Sequence, residues 1–218
     1  MNGEEDIPDI VIRRLPNYAR SLAYMLQEGI TTVSSSELAA RIGGTAAQIR
    51  RDLSYFGEFG KQGKGYNVNY LLEQIKEILN MDRDWNCALV GIGNLGQALV
   101  HYDGFRERGF HIVAAFDRDP RRIARTRLEG IETHPMERLA EVLAEKDIAI
   151  GIIAVPPEGA QEVADELVKA GARAILNYAP IIVQVPDNVR IRHIDPVSAL
   201  QSMTYYLSPN KAKAKRVR

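Results

Sequence analysis

Apolar residues return every three to four positions along residues 10–28: Leu15, Tyr18, Ala19, Leu22, Ala23, Met25 and Leu26. That spacing predicts an amphipathic helix, and Gly29 is its expected stop. The rhythm then shortens. The serine run at 34–36 supplies an N-cap for a short helix with Leu38, Ala39 and Ile42 inward, and Gly43-Gly44 breaks it. Thr45 caps a second helix with Ala46, Ile49 and Leu53 inside. Two short helices joined by a glycine turn make a helix-turn-helix. From Phe56 to Val68 the chain reads as a strand, a glycine-rich hairpin tip and a returning strand, which completes a winged helix.

After Trp85 the period changes to alternating strands and helices. Strands are expected at 87–91, 111–116, 148–154, 173–177 and 190–194; helices at 94–107, 120–126, 135–145, 157–170 and 197–207. This alternation predicts an α/β fold of Rossmann type, a doubly wound parallel sheet with helices on both faces. The expected organisation is a winged helix-turn-helix domain over 1–84, a dinucleotide-binding domain over 85–208 and a basic tail over 209–218. The last helix, 197–207, carries an apolar stripe of Ala199, Leu200, Met203, Tyr206 and Leu207, so it must dock somewhere, on its own sheet or on a partner.

The turn after the first strand is Gly91-Ile92-Gly93-Asn94-Leu95-Gly96, a dinucleotide fingerprint between strand and helix. Its glycines serve the tight turn, the approach of a pyrophosphate and the packing of helix on strand; the helix N-terminus takes the charge. Asp117 ends the next strand, where an acidic side chain accepts from the ribose hydroxyls and disfavours a 2′-phosphate. Arg118, Arg121 and Arg122 beside it pull the other way, so NAD is expected over NADP on the strength of Asp117. Two further loops lie at strand carboxyl ends: Val155 and Pro156 in one, Asn177 and Ala179 in the other, where the Asn177 amide could hold a carboxamide.

Composition bears on partners. Charge is balanced overall, 28 basic against 28 acidic, but residues 11–70 hold eight basic and four acidic side chains. On the second short helix Thr45, Ala47, Gln48, Arg50, Arg51, Ser54 and Tyr55 face or flank the outside. Gln pairs with adenine and Arg with guanine in the major groove, and Lys61 and Lys64 at the wing suit phosphate or minor-groove contact. Double-stranded DNA is the expected partner of the helix-turn-helix region, about 18–57. The lone Cys87 excludes an intrachain disulfide and makes a thiol-based sensor improbable. No apolar run approaches the ~20 residues of a membrane span, and the acidic N-terminus is not a secretory signal, so a cytoplasmic protein without a membrane partner is expected.

Catalytic apparatus is not evident. His101, His111, His134 and His193 lack compelling partners in sequence, His134 reading as a loop residue before a proline, and no metal-ligand spacing occurs. The residues after Gly96 are all needed to finish the sheet, leaving no substrate domain. The expected reading is a regulator and not an enzyme. A winged-helix regulator sensing another nucleotide or an acyl-CoA, and an NAD-dependent dehydrogenase, stand as alternatives.

Taken together, Leu15-Pro16-Asn17-Tyr18-Ala19-Arg20, the stretch from Gln48 to Gly57, the fingerprint, Phe116-Asp117-Arg118-Asp119-Pro120 and Leu176-Asn177-Tyr178-Ala179-Pro180 resemble the Rex family of redox-sensing transcriptional repressors, over roughly residues 10–208. The resemblance implies a homodimer that binds an inverted-repeat operator when NADH is scarce and leaves it when NADH binds. It also implies a C-terminal helix exchanged between subunits, and a switch in which Asp195 of one subunit pairs with Arg20 of the other in the DNA-binding form and moves to Tyr102 with NADH. Arg20 there matches an arginine at the end of the first helix, and Tyr102 a tyrosine just after the phosphate-binding helix begins. Pro196 departs from the bulky apolar residue usual in the family, and Gln62 from a frequent wing arginine.

Overall fold

The computed structural model describes residues 7–61, 65–126, 128 and 130–207, with the Lys61 side chain excepted. Lys64, Gln62 and the tail 209–218 therefore lie outside the described residues. The chain divides into two compact units, Met1–Arg83 and Asp84–Arg218.

In the first unit α1 (Asp9–Gln27) is followed by β1 (Thr32–Val33), α2 (Ser35–Ile42), α3 (Ala46–Ser54), β2 (Gly60–Lys61), β3 (Gly65–Asn67) and α4 (Val68–Ile78). Both expected caps form. Ser34 accepts from the Glu37 N–H while the Glu37 carboxylate accepts from the Ser34 N–H, a reciprocal capping box. Thr45 accepts from the Gln48 N–H. Gly43 ends α2 at φ +72°, a left-handed conformation that glycine enters without penalty. Leu15, Tyr18, Leu22, Leu38, Ile49, Leu53, Leu71 and Ile75 meet in one core.

Four features of this unit depart from what the sequence predicts. The wing strand begins only at Gly60, because Phe59 is drawn into the core. Its partner β3 pairs on its other side with β1, two residues too few to register as a periodic signal. The chain then forms α4 on the Asn67 cap and packs Val68, Leu71, Leu72 and Ile75 inward. Ala46 is only half-buried.

The second unit runs β4 (Trp85–Val90), α5 (Asn94–Val100), α6 (Asp103–Arg106), β5 (Phe110–Asp117), α7 (Pro120–Arg125), β6 (Glu132–Pro135), a 3₁₀ turn at Met136–Arg138, α8 (Leu139–Glu145), β7 (Ile150–Ile153), α9 (Pro157–Lys169), β8 (Ala174–Asn177), β9 (Arg190–His193) and α10 (Pro196–Leu207). All strand pairs are parallel, in the order β6-β5-β4-β7-β8-β9. Counted within the unit, that is the 3-2-1-4-5-6 order of the Rossmann fold. Alternate residues of β4 face opposite layers: Ala88 and Val90 meet α8 and α9, while Cys87 and Leu89 meet α5.

Here too the sequence reading needs correction. The single helix expected at 94–107 is two, since the chain leaves α5 at His101 and restarts at Tyr102. His134, expected in a loop, lies buried in the edge strand β6. That strand escaped notice because only His134 of its four residues is buried, so no alternation shows. The docking expected of α10 is not met on its own sheet: none of its residues is buried, and Leu200, Met203, Tyr206 and Leu207 are exposed.

Candidate nucleotide crevice and nucleic-acid interface

The fingerprint turn leaves the carboxyl end of β4, the central strand from which the sheet winds outward to β5 on one side and β7 on the other. A crevice at such a reversal is where open α/β sheets bind ligands. Gly91 holds φ +103°, and a Cβ there would meet the Ala154 carbonyl oxygen at 2.5 Å and Val155 Cγ1 at 2.9 Å. At Gly96 a Cβ would run into the Gly91 carbonyl oxygen, with Leu89 close behind, so the glycine lets α5 fold back over its own turn. Gly93 differs. A Cβ there would meet only Arg122 Nη1, at 3.8 Å, so the turn opens outward at that residue. Ile92 is buried, whereas Asn94 and Leu95 are exposed at the start of α5.

Asp117 locks this turn. Its Oδ2 accepts from the Ile92 N–H at 2.8 Å and its Oδ1 from the Asp119 N–H at 2.9 Å. Arg122 Nη1 lies 3.6 Å from Oδ2, and Asp117 itself is only 7% exposed. Asp117 is thus a structural anchor of the loop, at the strand end where the sequence leads one to expect a ribose partner. Each carboxylate oxygen can accept more than one hydrogen bond, so anchoring and ribose contact are compatible. A cavity of about 310 Å³ opens beside it, with Gly91, Asp117, Arg118, Val155 and Pro156 in its wall. An open glycine turn, an acidic anchor and an apolar wall fit the adenosine and pyrophosphate of a dinucleotide.

Asn177 does something other than expected. Its side chain is fully buried; the amide donates to the Ala179 and Ile181 carbonyls and sits 3.1 Å from His193 Nδ1, while its oxygen accepts from the Ala179 N–H. The amide is spent on shaping the loop after β8, where Tyr178 packs half-buried against the core on the α5 side of the sheet. Burial, reinforced by neighbouring Tyr102, pushes the Tyr178 phenol up. Burial also pushes the Cys87 thiol up to about 12, which keeps it in the unreactive form.

On α3 of the first unit, Thr45, Ala47, Arg50, Arg51 and Ser54 are exposed, and Gln48 and Tyr55 half-buried. The guanidinium of Arg50 donates to the Ser35 hydroxyl at 2.9 Å, which turns it toward α2. Ser54 donates to the Arg51 carbonyl. A groove of about 890 Å³ runs between α3 and the wing, lined by Ser35, Arg50, Ser54 and Tyr66 among others.

Beneath this face lies a cluster with no signal in the residue pattern. Asp52, on the helix that presents Arg50 and Arg51, is 2% exposed and takes two hydrogen bonds from Arg14, at 2.6 and 2.7 Å, and one from the Tyr18 hydroxyl.

The residues expected to switch are placed as follows. Arg20 lies within α1 and not at its end, its guanidinium donating to Asn17 at 2.8 Å. Tyr102 is exposed at the break after α5, not early in that helix, with its ring edge-on to Phe105. Asp195 precedes α10 and accepts the N–H groups of Val197 and Ser198 on Oδ1.

Residues 6–54 match the family described as a putative DNA-binding protein N-terminus, and residues 82–181 the family described as a CoA binding domain. The redox-sensing transcriptional repressor Rex of Roseiflexus sp. (strain RS-1) is 57% identical over 95% of this chain and 94% of its own. The Rex of Chloroflexus aurantiacus is 58% identical over 92% and 94%. Among solved structures, RSP in complex with β-NAD⁺ and operator DNA is 39% identical, with a TM-score of 0.87 over 96% of each chain. RSP in complex with β-NADH is 37% identical, with a TM-score of 0.85 over 96% of this chain and 98% of that one.

Fold and site define a transcription regulator: a winged helix-turn-helix unit carried with a Rossmann unit built for a nucleotide. More narrowly, the chain belongs to the Rex family of redox-sensing transcriptional repressors.

Proposed function

We propose that this protein represses transcription by binding an inverted-repeat operator as a homodimer and releases it when NADH occupies the crevice at β4. The observation that carries this reading is the pairing in one chain of an arginine-bearing recognition helix with a fingerprint turn anchored by Asp117. The relative RSP is described with operator DNA and with both redox forms of the dinucleotide, which supports the same reading. Residues 1–84 are the DNA-binding domain in this proposal and 85–208 the dinucleotide domain, α10 being exchanged between subunits. Its exposed apolar residues ask for such a partner.

The turn from Gly91 to Gly96, with Asp117, Arg118, Val155, Pro156 and the loop at Asn177 and Ala179, holds the dinucleotide. Thr45, Ala47, Gln48, Arg50, Arg51, Ser54, Tyr55, Lys61 and Lys64 serve DNA. Arg20, Tyr102 and Asp195 form the switch. NADH and NAD⁺ share every phosphate and ribose contact, so the crevice at β4 binds both. They differ in the charge of the nicotinamide ring, and an apolar surround penalises the unpaired cation. A ligand shifts a two-state protein only by its differential affinity for the states, typically about 1–3 kcal/mol of coupling.

The reading is of a regulator and not an enzyme. Each histidine has a local partner: His101 with the Gln97 carbonyl, His111 with Asp84, His134 with Arg138 and His193 with Asn177. No described helix is long and apolar enough to cross a membrane, and a repressor works in the cytoplasm with the chromosome. An acyl-CoA as the sensed ligand is a second reading, favoured by the description of the matching family. Operator binding followed by fluorescence anisotropy during titration with NADH, NAD⁺ and acetyl-CoA tests both. Release by NADH at concentrations where NAD⁺ leaves the complex intact is expected. Release by acetyl-CoA alone would overturn the proposal.

A further inference from the structure

Four arginines follow Asp117 within eight residues: Arg118, Arg121, Arg122 and Arg125. In dinucleotide sites an arginine so placed accommodates the 2′-phosphate that distinguishes NADP from NAD. Arg118 and Arg122 both lie in the cavity wall, and of the two Arg118 directly follows Asp117. Its guanidinium is otherwise engaged. Nη1 donates to Glu162 at 2.6 Å and Nη2 to Glu166 at 2.8 Å, two carboxylates one turn apart on α9. Because α9 follows β7 while Arg118 follows β5, these contacts span the end of β4 and close one side of the crevice. Arg122 is held too, between Asp117 at 3.6 Å and Asp119 at 3.9 Å.

We propose that Glu162 and Glu166 set the preference for NAD(H) over NADP(H) by withholding Arg118 from a ribose 2′-phosphate. Neither residue belongs to the fingerprint, and neither need touch the ligand: they are positioning residues. Asp117 supplies the repulsion, and the two glutamates remove the cation that would offset it. Neutralising the glutamates frees that cation, and removing Arg118 as well takes it away again.

The inference rests on the dinucleotide reading of the crevice. Its test uses the full chain carrying Glu162→Gln and Glu166→Gln, with and without Arg118→Ala, and calorimetric binding of NADH and NADPH. These side chains lie at the surface, so an unchanged melting temperature serves as the folding control. The double variant should narrow the NADPH-to-NADH affinity gap by about fivefold, the scale of a charge-assisted contact to an exposed phosphate, with NADH affinity held within twofold. Adding Arg118→Ala should restore the wild-type gap. A gap unmoved in the double variant overturns the inference while leaving the function intact. A gain that persists without Arg118 assigns the effect to bulk charge and overturns it as well. Failure of the parent protein to bind either dinucleotide removes the dinucleotide reading and this inference together.

Discussion

Replacing Tyr18 by Phe deletes one hydroxyl that ties α1 to the recognition helix. Tyr18 has no exposed surface and donates to Asp52, itself 2% exposed. A hydrogen bond to a charged group contributes about 1.5–3 kcal/mol. Asp52 keeps both Arg14 contacts in the variant, and the Gln48 amide that also reaches the hydroxyl is half-buried and can turn to water. The expected cost is therefore at the lower end, about 1.5 kcal/mol. Asp52→Ala removes the anchor of both partners. Breaking a buried pair costs about 3–5 kcal/mol, and because Arg14 keeps 26% of its side chain in water it can turn outward, so about 3 kcal/mol is expected.

The same hydroxyl makes a signed pH prediction. Burial, then the hydrogen bond to Asp52, pushes the Tyr18 phenol from 10.0 up to about 12. A folded value above the unfolded one means that the stabilisation is complete below pH 10 and is lost as pH rises toward 12. Across that window the linkage amounts to about 2–3 kcal/mol. Cys87 also loses stabilisation as pH rises from 9 toward 12, but it does so in both proteins, so their difference isolates Tyr18. Urea unfolding of the full chain, followed by circular dichroism in steps from pH 8 to 12, reads this directly. Wild type should lead Tyr18→Phe at pH 8 and lose that lead by pH 12. A lead below about 0.3 kcal/mol at pH 8, or one that stays constant to pH 12, refutes the account of the cluster.

Gly91→Ala forces a side chain into the Ala154 carbonyl at a left-handed φ, and should cost about 1–3 kcal/mol of stability and at least tenfold in NADH affinity by calorimetry. Arg51→Ala should weaken operator binding by about 1–3 kcal/mol in anisotropy and relax discrimination at one base pair, leaving NADH affinity of the free protein unchanged. Asp195→Asn should keep the helix content of α10, since Asn also caps well, yet weaken operator binding without NADH in anisotropy, because the contact to the Arg20 cation in the proposed switch loses its charge. Cys87 should resist a thiol reagent at pH 8 until the chain is unfolded, in a timed alkylation assay.

What was legible in the sequence followed from periodicity and fixed spacings. α1, α2 and α3 announced themselves through apolar faces and hydroxyl caps, and the fingerprint sat between the strand and helix it requires. The misses have physical causes. β1 is two residues long, and β6 buries one residue of four, so neither has a period to detect. The break at His101 carries no proline or glycine, and local propensity could not reveal it. The chemistry of Asn177 suggests a donor awaiting a ligand, but its depth commits that donor to the loop. Asp52 was missed for a related reason: a charged residue on an apolar face looks like an exception until its two partners, 38 and 34 residues earlier, are brought to it by the fold.

The residues of the proposed switch raise the question of how a side chain that caps a helix can also change partners. An N-cap contributes about 1 kcal/mol, comparable to the coupling expected between ligand and DNA, so a switch that uncapped α10 would spend most of its driving force on that loss. The geometry at Asp195 avoids the conflict. Both cap hydrogen bonds, from Val197 at 2.9 Å and Ser198 at 3.2 Å, fall on Oδ1. Oδ2 is left to take a donor from outside the helix. In the proposed switch, exchange of a guanidinium for a phenol at Oδ2 would alter only the outer contact, and the difference between those two bonds, one to a cation and one to a neutral hydroxyl, would reach the subunits undiminished by any change in the helix itself.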